Sequence, residues 1–224
     1  MNKVTMMRMQ MKTAGWGSGL LGVIIFSGSL PATRIAVGDF SPVFLTSVRA
    51  VIAALLGVVL LLVLQQSRPQ QKDLGSLAVV ALGVVVGFPL LTALALQHIT
   101  SAHSIVFIGL LPLVTAVFGV LRGGERPKPA FWLFSIAGSV LVAGFALSQS
   151  GSASSSGDLL MVAAIVLCGL GYAEGATLSR RLGGWQVISW ALVLSLPVMA
   201  IISIVVWPQT LNGISMPAWI SLGY

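Results

Sequence analysis

The chain has 224 residues, of which 57% are hydrophobic and 8% charged, and its mean hydropathy is +1.01. Soluble domains carry about a quarter charged residues, so this composition excludes an ordinary soluble fold and points to a polytopic helical membrane protein. The net charge of +7 does not indicate a nucleic-acid partner, because the twelve Lys and Arg stand singly between apolar runs and form no basic stripe with interleaved aromatics.

Residues 1–14 are polar and Met-rich, with Lys3, Arg8 and Lys12, and read as a cytoplasmic segment. The first helix is predicted over 15–37. It is longer than a signal-peptide core and runs at once into another apolar segment, so a cleavable leader is not expected. The turn Gly38-Asp39-Phe40-Ser41-Pro42 leads to a second helix ending near Leu64, then a polar loop over 65–73 and a third helix over 74–96. The polar turn from Gln97 to Ser101 precedes about twenty uncharged residues, the length that crosses a bilayer. This fourth helix closes on Arg122-Gly123-Gly124-Glu125-Arg126-Pro127, where glycines and proline stop it. A fifth is predicted over 130–147, a sixth over 158–179, a seventh over 187–207, and 216–224 reads as the start of an eighth. Cys168 lies in the sixth, and a lone cysteine makes no intrachain disulfide.

Charge sets the expected orientation. With the N-terminus inside, the inner segments hold Lys3, Arg8, Lys12, Arg68, Lys72, Arg122, Arg126, Lys128, Arg180 and Arg181, leaving only Arg34 and Arg49 of the twelve basic residues elsewhere. That asymmetry favours a cytoplasmic N-terminus and an external linker at 148–157. The Ser/Gly linker separates two units, 15–147 and 158–224. A shift of 141 positions carries the helix starts near residues 17, 42 and 76 onto 158, 183 and 217. Few identities follow that register, among them Gly28 with Gly169 and Ala50 with Ala191. Five spans per unit, an odd number, make the second copy enter from the opposite side, the inverted-repeat plan of many transporters.

Several motifs agree with this plan. Ala95-Leu96, Thr100-Ser101-Ala102, Pro112-Leu113 and Glu125-Arg126 frame the fourth helix; Pro42, Arg49 and Ala53 mark the second; Trp132, Gly138 and Gly144 mark the fifth. Together the pattern resembles the EamA family of the drug/metabolite transporter superfamily, over essentially the whole chain. The first helix departs from it, reading Phe26-Ser27-Gly28-Ser29-Leu30-Pro31 where many members have Trp-Gly. The resemblance implies an all-α bundle on a ten-helix plan, with about seven helices and the start of an eighth present and about three spans missing. It implies a secondary transporter in a bacterial plasma membrane, an exporter of small metabolites such as amino acids or amphipathic compounds, working by alternating access. The alternative is a truncated, non-transporting remnant or assembly subunit. A chain on this plan is expected to need a homodimer or the missing C-terminal helices before it moves substrate. An enzyme is not expected, because Asp158, Glu174 and the two histidines are too few and dispersed for an acid/base constellation.

Ionisable and kinked positions within spans are the candidate substrate-binding residues. Arg49 sits about 10 Å inward from Pro42, at 1.5 Å per residue; it either holds loop carbonyls and Asp39 or receives a substrate carboxylate. Glu174 has no basic neighbour in its own turn and reads as a substrate or proton site, with snorkelling toward Arg180 as the structural alternative. Tyr172 and Trp190 offer aromatic faces for stacking or packing. Pro31 and Pro112 free backbone carbonyls and are expected at the cavity. His103 is expected at the cavity mouth. His98 and His103 lack further ligands, so neither a metal nor any cofactor is expected. The pair Gly83 and Gly87 reads as a close helix contact.

Overall fold

A computed structural model describes residues 17, 19–148, 154–211 and 213–224. The polar segment at 1–14 and most of the linker lie outside the described residues. Helices are labelled in chain order: α1 Gly19–Asp39, α2 Pro42–Val63, α3 Gln71–Ala95, α4 Ser101–Gly123, α5 Pro129–Ser148, α6 Ser155–Leu182, α7 Gly184–Val205 and α8 Met216–Gly223. No strand is present among the described residues. Six of the helices (α1 to α4, α6 and α7) are long and apolar enough to cross a membrane, and α5 is a further apolar helix. The protein is a polytopic helical bundle.

Local chemistry sets the boundaries. Ser41 caps α2 by accepting from the Phe44 N–H, with Pro42 at the first helical position, where its missing N–H costs nothing. Thr100 caps α4 through the His103 N–H and Ser215 caps α8 through the Ala218 N–H. Gly124 (φ +62°) and Gly183 (φ +93°) end α4 and α6 in backbone that only glycine adopts freely. The last residues of the predicted linker are helical, since α6 begins at Ser155 rather than 158. Interruptions inside the spans also differ from the uniform helices expected. Pro112 cannot donate to the Ile108 carbonyl, and α4 breaks at Gly109–Leu110, where the Leu110 N–H turns back to Phe107 at 2.9 Å. In α3 the residues Ala81–Gly87 form a π-helical segment, closed by the Phe88 N–H on the Gly83 carbonyl just before Pro89.

Packing fixes the directions. Gly83 lies against Gly171, Gly87 against Leu167 and Gly157 against Ile99, so α3 and α6 run antiparallel. Val114 beside Gly169 and Thr177 beside Gly123 make α4 parallel to α6. Gly57 meets Ser189 and Phe44 meets Trp207, pairing α2 antiparallel to α7. The α1 helix pairs with α8. It follows that α6 starts at the end of the bundle opposite to the start of α1. Exchanging helix i with helix i+5 carries the α2–α7 pair onto itself and the α3–α6 pair onto α8–α1. The glycines explain why α3 and α6 can approach so closely: a Cβ on Gly83 would stand 3.1 Å from the Gly171 Cα.

Candidate functional site

The central cavity holds about 300 Å³. Its wall comes from α1 (Phe26, Ser29, Thr33), α2 (Thr46, Arg49), α3 (Val84, Phe88, Thr92), α6 (Tyr172) and α7 (Ile188, Leu192), so both series of helices contribute. Most of the lining is apolar, and the polar atoms are few. Small-molecule sites have this character: an apolar shape with a small number of placed hydrogen-bonding groups. The π segment supplies Val84 and Val85 to the wall, and such segments often sit at functional sites.

Arg49 is the charged group of the cavity. Its Nε donates to the Leu222 carbonyl at 3.3 Å, one Nη donates to Thr33 Oγ1 at 2.9 Å, and the other donates to the Ser221 carbonyl. The carbonyls belong to α8. Its partners are on α1 and α8, and Asp39 is not among them. A guanidinium has five N–H donors, so two remain after these bonds.

The other predicted residues divide. Tyr172 lines the cavity. Trp190 does not; it is partly buried against the core formed by Ala50, Val80 and Ala191. Pro31 is exposed on α1 and turned from the cavity, while Pro112 lines a separate groove between α4 and α5 with Phe131 and Phe134. His103 is buried at the start of α4, where Nε2 lies 2.9 Å from Asp158 Oδ1 and Nδ1 has no partner. Glu174 differs most from expectation. It is not an isolated acid, because Arg122 Nε and Nη2 both lie 2.5 Å from its Oε1. The parallel course of α4 and α6 brings the last turn of α4 beside it, a contact that inspection of its own helix cannot find.

Glu174 follows a general pattern. The sequence contains five Asp and Glu. Asp73 pairs with Arg181, Glu125 with Arg180 at 2.8 Å, Glu174 with Arg122, Asp158 with His103, and Asp39 accepts from the Ser215 N–H and hydroxyl. Each acid has a partner in the other half of the chain. The three Arg–carboxylate pairs gather at the end where α1 begins, and the His103 and Asp39 contacts sit at the opposite end. No cluster of three or more His, Cys, Asp and Glu suited to a metal occurs among the described residues.

Sequence reasoning missed the hydroxyls Thr33, Thr46 and Thr92. A threonine in an apolar helix is a weak signal because it usually bonds back to its own helix. Thr92 does not: it is 4% exposed, and its Oγ1 has no hydrogen-bond partner.

Comparison with known proteins agrees with this architecture. The model of the EamA-like transporter family matches residues 13–147. A Bacillus subtilis (strain 168) protein called uncharacterized transporter YdeK is 67% identical over 216 residues, which are 96% of this chain and 75% of the relative. No solved structure matches. A bundle whose second series enters inverted, built around a sparse polar cavity, is thereby placed by descent as well as by shape: the chain belongs to the EamA-like transporter family.

Proposed function

We propose that the chain is a secondary transporter, an exporter that passes small amphipathic metabolites through the central cavity by alternating access in a bacterial plasma membrane. The observation that carries this reading is the cavity itself, walled by helices of both series and containing one guanidinium in a mostly apolar lining. Rocking of one series against the other changes which end reaches it. Arg122, Arg180 and Arg181 join the halves at one end and His103 at the other, so opening either end breaks the contacts there. No such motion requires a nucleotide, and the sequence has no phosphate-cradling Gly-rich loop.

Saturable efflux from proteoliposomes tests the proposal. It is measured for the chain alone and with three further helices supplied in trans, because the ten-helix plan lines the cavity from both halves. Flux in either preparation, reduced when Tyr172 is replaced by alanine, is the expected result; no saturable flux in either overturns the reading. Orientation is tested separately. In a Cys168→Ser background, a membrane-impermeant thiol reagent applied to intact cells is expected to label Ser154→Cys and to spare Gln70→Cys. The reverse pattern removes the cytoplasmic N-terminus, which rests on the distribution of Lys and Arg.

A further inference from the structure

The loop between α4 and α5 carries two cations that no acid among the described residues neutralises. It reads Gly124-Glu125-Arg126-Pro127-Lys128, and its own Glu125 is paired with Arg180. The other four acids of the chain are held elsewhere: Asp39 by Ser215, Asp73 by Arg181, Asp158 by His103 and Glu174 by Arg122. Arg126 and Lys128 are exposed. Trp132 fixes their depth. A tryptophan near the end of a span marks the level of the lipid headgroups, and Lys128 lies four residues beyond it toward water, about 6 Å at 1.5 Å per residue. The two cations therefore stand at the depth of lipid phosphates.

A groove of about 400 Å³ runs between the same two helices, lined by Gly109 and Pro112 of α4 and by Phe131, Phe134, Ser135 and Gly138 of α5. It exists because bulk is missing there: a Cβ on Gly138 would meet nothing within 4 Å. One end closes where α4 touches α5, since a Cβ on Gly109 would stand 3.0 and 3.1 Å from the two Val142 methyl carbons. The other end is one turn from the cations, and the Phe131 N–H donates to the Lys128 carbonyl at 2.9 Å. From Phe131 to Gly138 the helix rises about 10 Å, which stays inside one leaflet of a ~30 Å hydrocarbon core. Both walls are consecutive helices joined by the cationic loop, so groove and charge form one unit that owes nothing to the central cavity.

We infer that the α4–α5 groove binds an anionic phospholipid, with one acyl chain along Phe131, Phe134 and Gly138 and the phosphodiester on Arg126 and Lys128. Complementarity at both ends selects this occupant. An apolar channel within a leaflet takes hydrocarbon, and unmatched cations at headgroup depth take a lipid with net negative charge. Arg126 offers paired N–H donors to phosphate oxygens and Lys128 a point charge. A zwitterionic lipid fits the groove without neutralising the loop, and a soluble phosphate neutralises the loop without filling the groove. The lipid also has a structural task. The α5 helix packs chiefly against α4, and Leu133, Phe134 and Leu141 on it are exposed, so a lipid held by both helices fastens α5 to the bundle.

The test uses the 224-residue chain in dodecyl maltoside, titrated by native mass spectrometry with dioleoyl phosphatidylglycerol or dioleoyl phosphatidylcholine, which share their chains and differ in net charge. The first phosphatidylglycerol is expected to bind at least about fivefold tighter than the first phosphatidylcholine, given the attraction of each cation at the membrane surface. Arg126→Gln/Lys128→Gln is expected to abolish that preference. Arg68→Gln/Lys72→Gln removes the same charge from the α2–α3 loop and is expected to keep it. Gly138→Leu fills the groove and leaves the cations, and is expected to weaken the first phosphatidylglycerol at least about threefold through lost contact with the chain. Glycerophosphoglycerol, the headgroup without chains, is expected not to displace the lipid. Size-exclusion profiles establish that each variant is folded, and the comparison of lipids in the unaltered chain depends on none of them. Equal affinity for the two lipids, a preference that survives in Arg126→Gln/Lys128→Gln or disappears in Arg68→Gln/Lys72→Gln, or an unchanged Gly138→Leu profile overturns the inference. Displacement by glycerophosphoglycerol also overturns it and gives the cations to a soluble phosphate. A dimer that Gly138→Leu dissociates, with no preference between lipids, overturns it in favour of a second copy of the chain.

Discussion

Alanine at Gly83 is expected to disrupt the bundle more than any other single methyl addition in α3. The new Cβ would stand 3.1 Å from the Gly171 Cα and against the Leu167 carbonyl, both backbone atoms of α6. A side chain can rotate from such a contact, but backbone cannot, so the two helices must separate. Overpacking of this kind costs about 1–3 kcal/mol, and the upper part of the range is expected because the contact spans α3 and α6 along with the wall of the cavity. Gly75→Ala on the same helix is the control: a Cβ there meets nothing within 4 Å, and the gain in helix propensity is up to about 1 kcal/mol. Thermal inactivation in detergent, followed by size-exclusion chromatography, checks the contrast. Equal midpoints for the two variants would mean that the α3–α6 crossing is looser than described.

The second large effect is expected at Arg181. Its partner Asp73 is 1% exposed and otherwise accepts only from the Gln70 N–H at 3.0 Å. Arg181→Met leaves that carboxylate without its paired cation. Removing one member of such a pair is destabilising because it leaves a charge unmatched, and since the arginine side chain is 45% exposed, water softens the loss. The double variant Asp73→Leu/Arg181→Met is expected to recover most of it, because no charge is then left unmatched. Stability of the single and double variants in a denaturing-detergent titration decides the matter. A double variant as weak as the single one would show that the arginine acts through packing rather than through Asp73.

What could be read from the sequence follows from what is local. Apolar runs gave the helices because burial in lipid depends on composition along one segment, and Ser41, Thr100, Gly124 and Gly183 mark their ends by chemistry within one turn. The close contact at Gly83 and Gly87 was legible for the same reason, since two glycines one turn apart make a flat strip on any helix. The partner of that strip was not. Glu174 looks solitary on α6 and is paired with Arg122 through the packing of α4; likewise Pro112 lies against α5 rather than the cavity. The π segment Ala81–Gly87 has no marker beyond the Pro89 that follows it. Thr92 is conspicuous only after the helices are assembled, because whether a hydroxyl is satisfied depends on every neighbour. Of the ionisable candidates Arg49, Glu174 and His103, Arg49 lines the cavity and the other two do not, and its attachment to α8 could not be foreseen from α2.

The placement of every acid's partner in the opposite half also has a consequence for biogenesis. When Asp73 leaves the ribosome its arginine has not been synthesised, and 108 residues separate the two. At about 5–20 residues per second that interval lasts roughly 5–20 s. Glu125 and Asp158 face similar waits or search backward, across separations of 55 residues each, for Arg180 and His103. During this time the early helices hold carboxylates that the bilayer disfavours, so those acids remain at the water boundary while insertion proceeds. The early helices can settle against one another only provisionally. Their final alignment is deferred until α6 arrives.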